Sequence, residues 1–81
     1  MANKAKPKAV PVEMWLAPGG ERTLLLSDTE PVQCQDDPEI YRPQSSRLKY
    51  YIYEQLIRHI GEHLLRIRKP RRVRITIEEI E

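Results

Sequence analysis

The chain is short of cysteine, of glycine and of long apolar runs, and each shortage removes a class of protein. Its one cysteine, Cys34, permits no internal disulfide and is too few for a zinc knuckle or finger. A single unpaired thiol suits a reducing compartment. No stretch approaches the ~20 apolar residues that cross a bilayer. The opening MANKAKPKAV is basic with no apolar segment behind it, so it does not read as a secretory signal. The expectation is a soluble, cytoplasmic protein with no membrane partner. The glycine pair Gly19-Gly20 sits at a turn rather than between a strand and a helix N-terminus, so no phosphate-cradling loop is present. Cys34 lies in PVQCQDD, where neighbouring carboxylates disfavour the thiolate that a nucleophile needs. Neither a helix-turn-helix nor an aromatic RNP strand can be found. These gaps point to a protein that is not an enzyme and carries no cofactor.

What the chain does have is an uneven charge. At 81 residues it is one domain with a small core. The net charge is only +2, but residues 1–41 hold four basic and seven acidic groups, whereas residues 42–81 hold ten basic and five acidic. Within residues 42–74 the ten basic groups face only Glu54 and Glu62. Such a split fits an anionic partner, either a nucleic acid or an acidic protein.

The pattern along the chain predicts α+β structure in the order β-β-α-β. Residues 1–8 carry Lys4, Lys6 and Lys8 among small residues and form a disordered basic tail. Residues 9–81 form the domain. Val10, Val12, Met14 and Leu16 alternate with Pro11, Glu13 and Trp15, which is the period of a half-buried strand. With the turn APGGE and the return strand RTLLLS, residues 9–27 make a hairpin. Residues 28–45, rich in proline, acids and amides, read as an irregular connection, with Asp37-Pro38-Glu39 able to start one helical turn. Residues 46–69 read as one long helix capped by Ser45 or Ser46 and stopped by Pro70. Its apolar face is Ile52, Tyr53, Leu56, Ile57, Ile60, Leu64 and Ile67. Residues 72–80 alternate again, with Val73, Ile75 and Ile77 inward and Arg72, Arg74, Thr76 and Glu78 outward. The implied architecture is a three-stranded, mainly antiparallel sheet covered on one face by a single helix.

Three constellations carry possible chemistry. The strongest is the run RIRKPRRVRI, in which Arg66, Arg68, Lys69, Arg71, Arg72 and Arg74 gather six cations in ten residues. Cations at a helix C-terminus complement the helix dipole, which accounts for two or three of them. Gathering six costs mutual repulsion that an anionic partner would relieve, and arginine forks onto phosphate oxygens. The plainer account is that Arg72 and Arg74 pair across strands with Glu13, and that charge at a sheet edge discourages aggregation. Second, Tyr51, Leu65 and Leu48 fall off the core stripe of the helix, beside a sheet face bearing Trp15 and Leu25. Trp15, Leu25, Tyr51 and Leu65 thus form a candidate protein interface, and an uncovered face suggests a homodimer or a protein partner. Third, HIGEH places His59 and His63 one helical turn apart, a possible metal pair. Glu62 points roughly 80° away from them and no third ligand is evident, so a helix-border role is the simpler account.

The sequence therefore predicts a small non-catalytic regulator that binds nucleic acid, DNA or RNA, through the arginine run. The alternative is a protein-interaction module, an adaptor, inhibitor or assembly subunit of the kind some phages encode, using the open sheet face and the exposed helix face.

Overall fold

The computed structural model describes residues 11–45 and 47–80. The predicted basic tail, the start of the first strand at residues 9–10 and the candidate cap Ser46 lie outside the described residues. Among the described residues the fold is α+β: a four-stranded antiparallel sheet, a two-stranded ribbon, one α-helix and one 3₁₀ helix. In chain order the elements are β1 (Val12–Gly20), β2 (Thr23–Ser27), β3 (Val32–Gln33), β4 (Tyr41–Arg42), β5 (Lys49–Tyr53), α1 (Glu54–Gly61), the 3₁₀ helix Glu62–Arg66, and β6 (Arg71–Ile75). The large sheet runs β5-β2-β1-β6, and β3 pairs with β4.

The hairpin forms, but its turn is shorter than APGGE suggests and centred two residues later than Gly19-Gly20. β1 continues through Pro18, Gly19 and Gly20, and the turn residues are Glu21 and Arg22. Gly19 is the extra residue of a β-bulge, since Pro18 pairs with Leu24 and Gly20 with Thr23. A proline fits here because β6 pairs with β1 only as far as Leu16.

The largest correction concerns the predicted long helix. Residues 49–53, KYYIY, form β5 and pair with β2, Tyr51 opposite Leu25 and Ile52 opposite Leu24. Three tyrosines and a β-branched residue suit a pleated strand better than a helix. Tyr53 then has extended backbone and α1 starts at Glu54. The sheet gains a fourth strand, and the helix shrinks to eight residues followed by five of 3₁₀. The last strand is also shorter than expected. Pairing with β1 runs from Leu16–Arg71 to Val12–Ile75, and Ile77, placed inward by the sequence pattern, is exposed.

One sheet face presents Met14, Leu16, Leu24 and Leu26 to Ile57 of α1 and to Ile67, and all six are buried together. Ile52, Leu64, Leu65, Val73 and Ile75 pack around them. The opposite face is not open. Its Ala17, Leu25 and Ser27 are fully buried. The connection between β2 and β5 is the segment that closes it. Tyr41–Arg42 packs against β1, Pro31 is buried, and Val32, Cys34, Ile40, Tyr41 and Pro43 are half-buried. The connection is hydrogen-bonded rather than irregular. Ser27 Oγ donates to Thr29 O (2.8 Å), Thr29 Oγ1 donates to Gln44 O (2.7 Å), and Cys34 N donates to Ile40 O (2.9 Å). Asp37 makes a turn in place of the expected helical turn, its Oδ1 accepting from Glu39 N (3.1 Å). Three consecutive leucines in β2 now have a reason: a central strand buried on both faces needs no polar alternation.

Candidate functional site

The arginine run lies along one end and one edge of the sheet, and the strand period divides it. Arg66 ends the 3₁₀ helix, Arg68 and Lys69 occupy the bend before Pro70, and Arg71, Arg72 and Arg74 belong to β6, the outermost strand on that side. Register assigns Arg71, opposite Leu16, to the helix-covered face. Arg72 and Arg74, opposite Trp15 and Glu13, belong to the other face.

On that second face the charges are partly compensated. Glu13 accepts from Arg72 Nη2 at 2.9 Å and from Arg74 Nη2 at 3.2 Å, so one carboxylate serves two guanidiniums. Those hydrogen bonds, Arg72's first and Arg74's second, together with the two positive charges, hold the Glu13 carboxyl below its ordinary value. Arg72 also lies over the ring of Trp15, its Cζ 5.1 Å from the centroid. This is the cross-strand pairing the sequence offered as the plainer account. It absorbs one positive charge of two.

The other four cations have no such partner. Among the described residues no carboxylate comes within ion-pair distance of Arg66, Arg68, Lys69 or Arg71, and all four are exposed. Asp37 and Glu39, at the tip of the β3–β4 ribbon, line a surface depression with Arg68 and Arg22. Arg68 and Lys69 line the adjoining one with Gln33, Glu39 and Tyr41. The ribbon thus lies near the basic bend without forming ion pairs to it.

The expected protein interface does not assemble. Leu25 is fully buried beneath the folded connection, and Leu65 packs against the core. Trp15 is half-buried and carries Arg72. Tyr51 alone of the four is exposed, at 47%. Its ring leans across β2 toward β1, because a Cβ built on Gly19 would sit 3.2 Å from Tyr51 Cδ1. Other exposed apolar side chains include Tyr50, Tyr53, Leu56 and Ile60, the last three of which the helical reading had assigned to the core. The β propensity of KYYIY was the signal that would have separated the strand from the helix.

The histidine pair also loses its basis. His59 is in α1 and His63 in the 3₁₀ helix, and the backbone at Gly61, extended in φ, separates the two elements. The continuous helix that would stack them does not exist. Among the described residues no three His, Cys, Asp or Glu side chains are grouped to hold a metal. On the far flank of α1, Glu54 accepts from Arg58 Nε (2.9 Å), pairs with Arg22 (3.4 Å), and Arg58 also pairs with Glu62. The Arg58 hydrogen bond lowers the Glu54 carboxyl and in return raises the guanidinium.

No helix among the described residues is long and apolar enough to cross a membrane. No protein-family model, curated protein or solved structure matches the chain.

Proposed function

We propose that this chain is a non-catalytic binding module that grips the phosphate backbone of a nucleic acid along its β6 edge. The observation that carries the reading is the cluster of Arg66, Arg68, Lys69 and Arg71, four exposed cations within six residues and without a carboxylate partner among the described residues. Repulsion among them is a standing cost, and a polyanion relieves it while releasing its own counterions. Arg72 and Arg74 lie on the adjacent face, where Glu13 occupies both. Shallow, open surroundings favour a backbone partner over a small molecule, which needs a concave pocket.

The test is fluorescence anisotropy with random duplex DNA, single-stranded DNA and RNA. Four phosphate contacts on duplex DNA correspond to about a hundredfold loss of affinity between roughly 50 and 200 mM salt. Removing two contacts with Arg68→Ala plus Arg71→Ala should weaken binding at the lower salt and reduce the slope of log affinity against log salt by about two. Absence of binding at about 50 mM, or binding indifferent to salt, rejects the reading. Capture of acidic peptides in its place would assign the same edge to a protein partner.

A further inference from the structure

We propose that the opposite edge, β5, is the interface of a two-fold dimer of this chain, built by antiparallel pairing of β5 with its own copy. The inference is independent of the nucleic-acid reading, because it uses none of the β6 cations.

β5 is the terminal strand of the sheet on its side, so its outer backbone groups have no strand beside them among the described residues. Asp28 N donates to Leu48 O at 3.1 Å, in the same register that pairs Leu26 with Tyr50 and Leu24 with Ile52. Antiparallel pairs alternate between inward and outward hydrogen bonding, so residues 48, 50 and 52 bond toward β2 and residues 49 and 51 face out. A strand presented in this way is a template for another chain. Proteins ordinarily block such edges with charge, proline or a bulge. KYYIY has one charge, no proline and no bulge. The Tyr51 ring leans inward over β2 toward Gly19, which leaves the outward side of that residue clear.

The sequence of the strand selects a second copy as the occupant. A two-fold axis through Tyr51 aligns all five residues of the two strands. It sets Tyr51 against Tyr51, Tyr50 against Ile52 and Lys49 against Tyr53 of the second copy. No like charges meet, each lysine lies by a tyrosine ring, and outward-facing residues meet outward-facing residues. Pairing β6 with itself about Val73 would set Arg72 against Arg74 twice, which like-charge repulsion opposes. Pairing β5 with β6 leaves free edges and gives open chains instead of a closed pair.

The helix supports the same arrangement. Its charged flank, Glu54, Arg58 and Glu62, is tied by Arg22 to the turn between β1 and β2. At 100° per residue, Leu56 and Ile60 lie on the flank of the helix away from those charges. They are 55% and 60% exposed, and Tyr50 on the helix-covered sheet face is 54% exposed. An axis perpendicular to the sheet brings both copies of α1, which directly follows β5, onto one face of the joined sheet, where these side chains are exposed. The two β6 edges then stand at opposite ends of an eight-stranded sheet, seven spacings or about 34 Å apart. That exceeds the Debye length of about 8 Å at physiological salt, so their charge does not oppose association.

The experiment is sedimentation equilibrium on the full chain without nucleic acid, from about 1 to 500 µM, a range that brackets ordinary interface affinities. Wild type should be a dimer at the upper end. Tyr53→Lys places lysine against Lys49 of the second copy at both ends of the strand pair and should raise the dimer dissociation constant at least tenfold. Adding Lys49→Glu to it restores opposite charges and should restore the dimer. Far-UV circular dichroism checks that each variant is folded. Should Tyr53→Lys fail to fold, Leu56→Lys plus Ile60→Lys on the exposed flank of α1 should give the monomer instead. A monomeric wild type throughout the range overturns the proposal. So does a folded Tyr53→Lys or Leu56→Lys/Ile60→Lys variant that assembles like wild type, or a double charge variant that stays monomeric.

Discussion

β5 and β6 close the same sheet, and each is five residues long, yet they are built from opposite materials. β6 reads RRVRI and β5 reads KYYIY. Both face the hazard of any edge strand, a row of backbone groups that another chain can pair with. β6 answers it with like charges that repel a second β6, two of them anchored to Glu13. β5 offers no such guard, and α1, which follows it directly, exposes Leu56 and Ile60. The difference teaches that charge placement can sort the edges of one small sheet by partner. In the readings proposed above, one edge accepts a polyanion and rejects its own copy, and the other accepts its own copy.

That comparison holds only if the faces of the sheet are closed, so the largest effect is expected where closure is most complete. Leu25 is fully buried at the centre of β2, on the face covered by the β2–β5 connection. Leu25→Ala should cost about 2–5 kcal/mol in urea denaturation, the ordinary range for a buried leucine. A loss below about 0.5 kcal/mol would mean an exposed site, and the second face would then compete with both edges as a binding surface. Gly19→Ala examines the same closure from β1. The added Cβ would stand 3.0 Å from Leu25 N and 3.1 Å from Leu25 Cβ, both fixed by the sheet, and 3.2 Å from Tyr51 Cδ1. Overpacking of this kind costs about 1–3 kcal/mol. Adding Tyr51→Ala to Gly19→Ala should recover only the part due to the ring, which a double-mutant cycle separates.

Much of this arrangement was legible in the sequence, and the exceptions have physical causes. The alternation in residues 12–16 and in 72–75 marked two strands, and RTLLLS marked the partner of the first. The cross-strand meeting of Glu13 with Arg72 and Arg74 follows from placing these residues on one face. The tyrosine strand was lost because KYYIY runs directly into a helix of correct period, so Ile52, Leu56, Ile57 and Ile60 fit one continuous stripe. Periodicity cannot separate two joined elements when their apolar positions happen to agree, and here β propensity and the need of β2 for an outer partner decided the matter. The same error misplaced Leu25. With three strands and a loose connection, one face appeared open. Three leucines in a row in β2 carried the contrary signal, because a strand with one wet face alternates. The folding of residues 28–45 over that face depends on Ser27, Thr29 and Asp37 making particular side-chain to backbone bonds, which composition alone does not reveal.

A smaller change should sharpen the contrast between the edges. Glu13→Gln removes the carboxylate shared by Arg72 and Arg74 and leaves β5 untouched. With two more cations available, affinity for duplex DNA at about 50 mM salt should rise roughly three- to tenfold and the salt dependence should steepen. The dimer constant measured without nucleic acid should stay the same. If nucleic-acid affinity and self-association moved together, the two edges would not be independent.

The smallest effect concerns the same carboxylate and uses the sole tryptophan as its reporter. Glu13 in the folded chain is held below the ordinary carboxylate value by the Arg72 and Arg74 hydrogen bonds. A depressed folded value means that the bonds' stabilisation is complete above the unfolded carboxylate range. It is lost as the pH falls through the lower folded value. Arg72, released from Glu13 by protonation, changes its position over Trp15, where its guanidinium now lies 5.1 Å from the ring centroid. Trp15 emission should therefore stay level from neutral pH down through the ordinary glutamate range and change only below it. Glu13→Gln should abolish that step. It should leave any effect of Glu54, likewise depressed but bonded to Arg58 and Arg22 on the helix side. A transition centred at the ordinary glutamate value would show that Glu13 does not hold the two arginines in solution. β6 and the bend before it would then present all six cations unclaimed, and the contrast with β5 would be larger still.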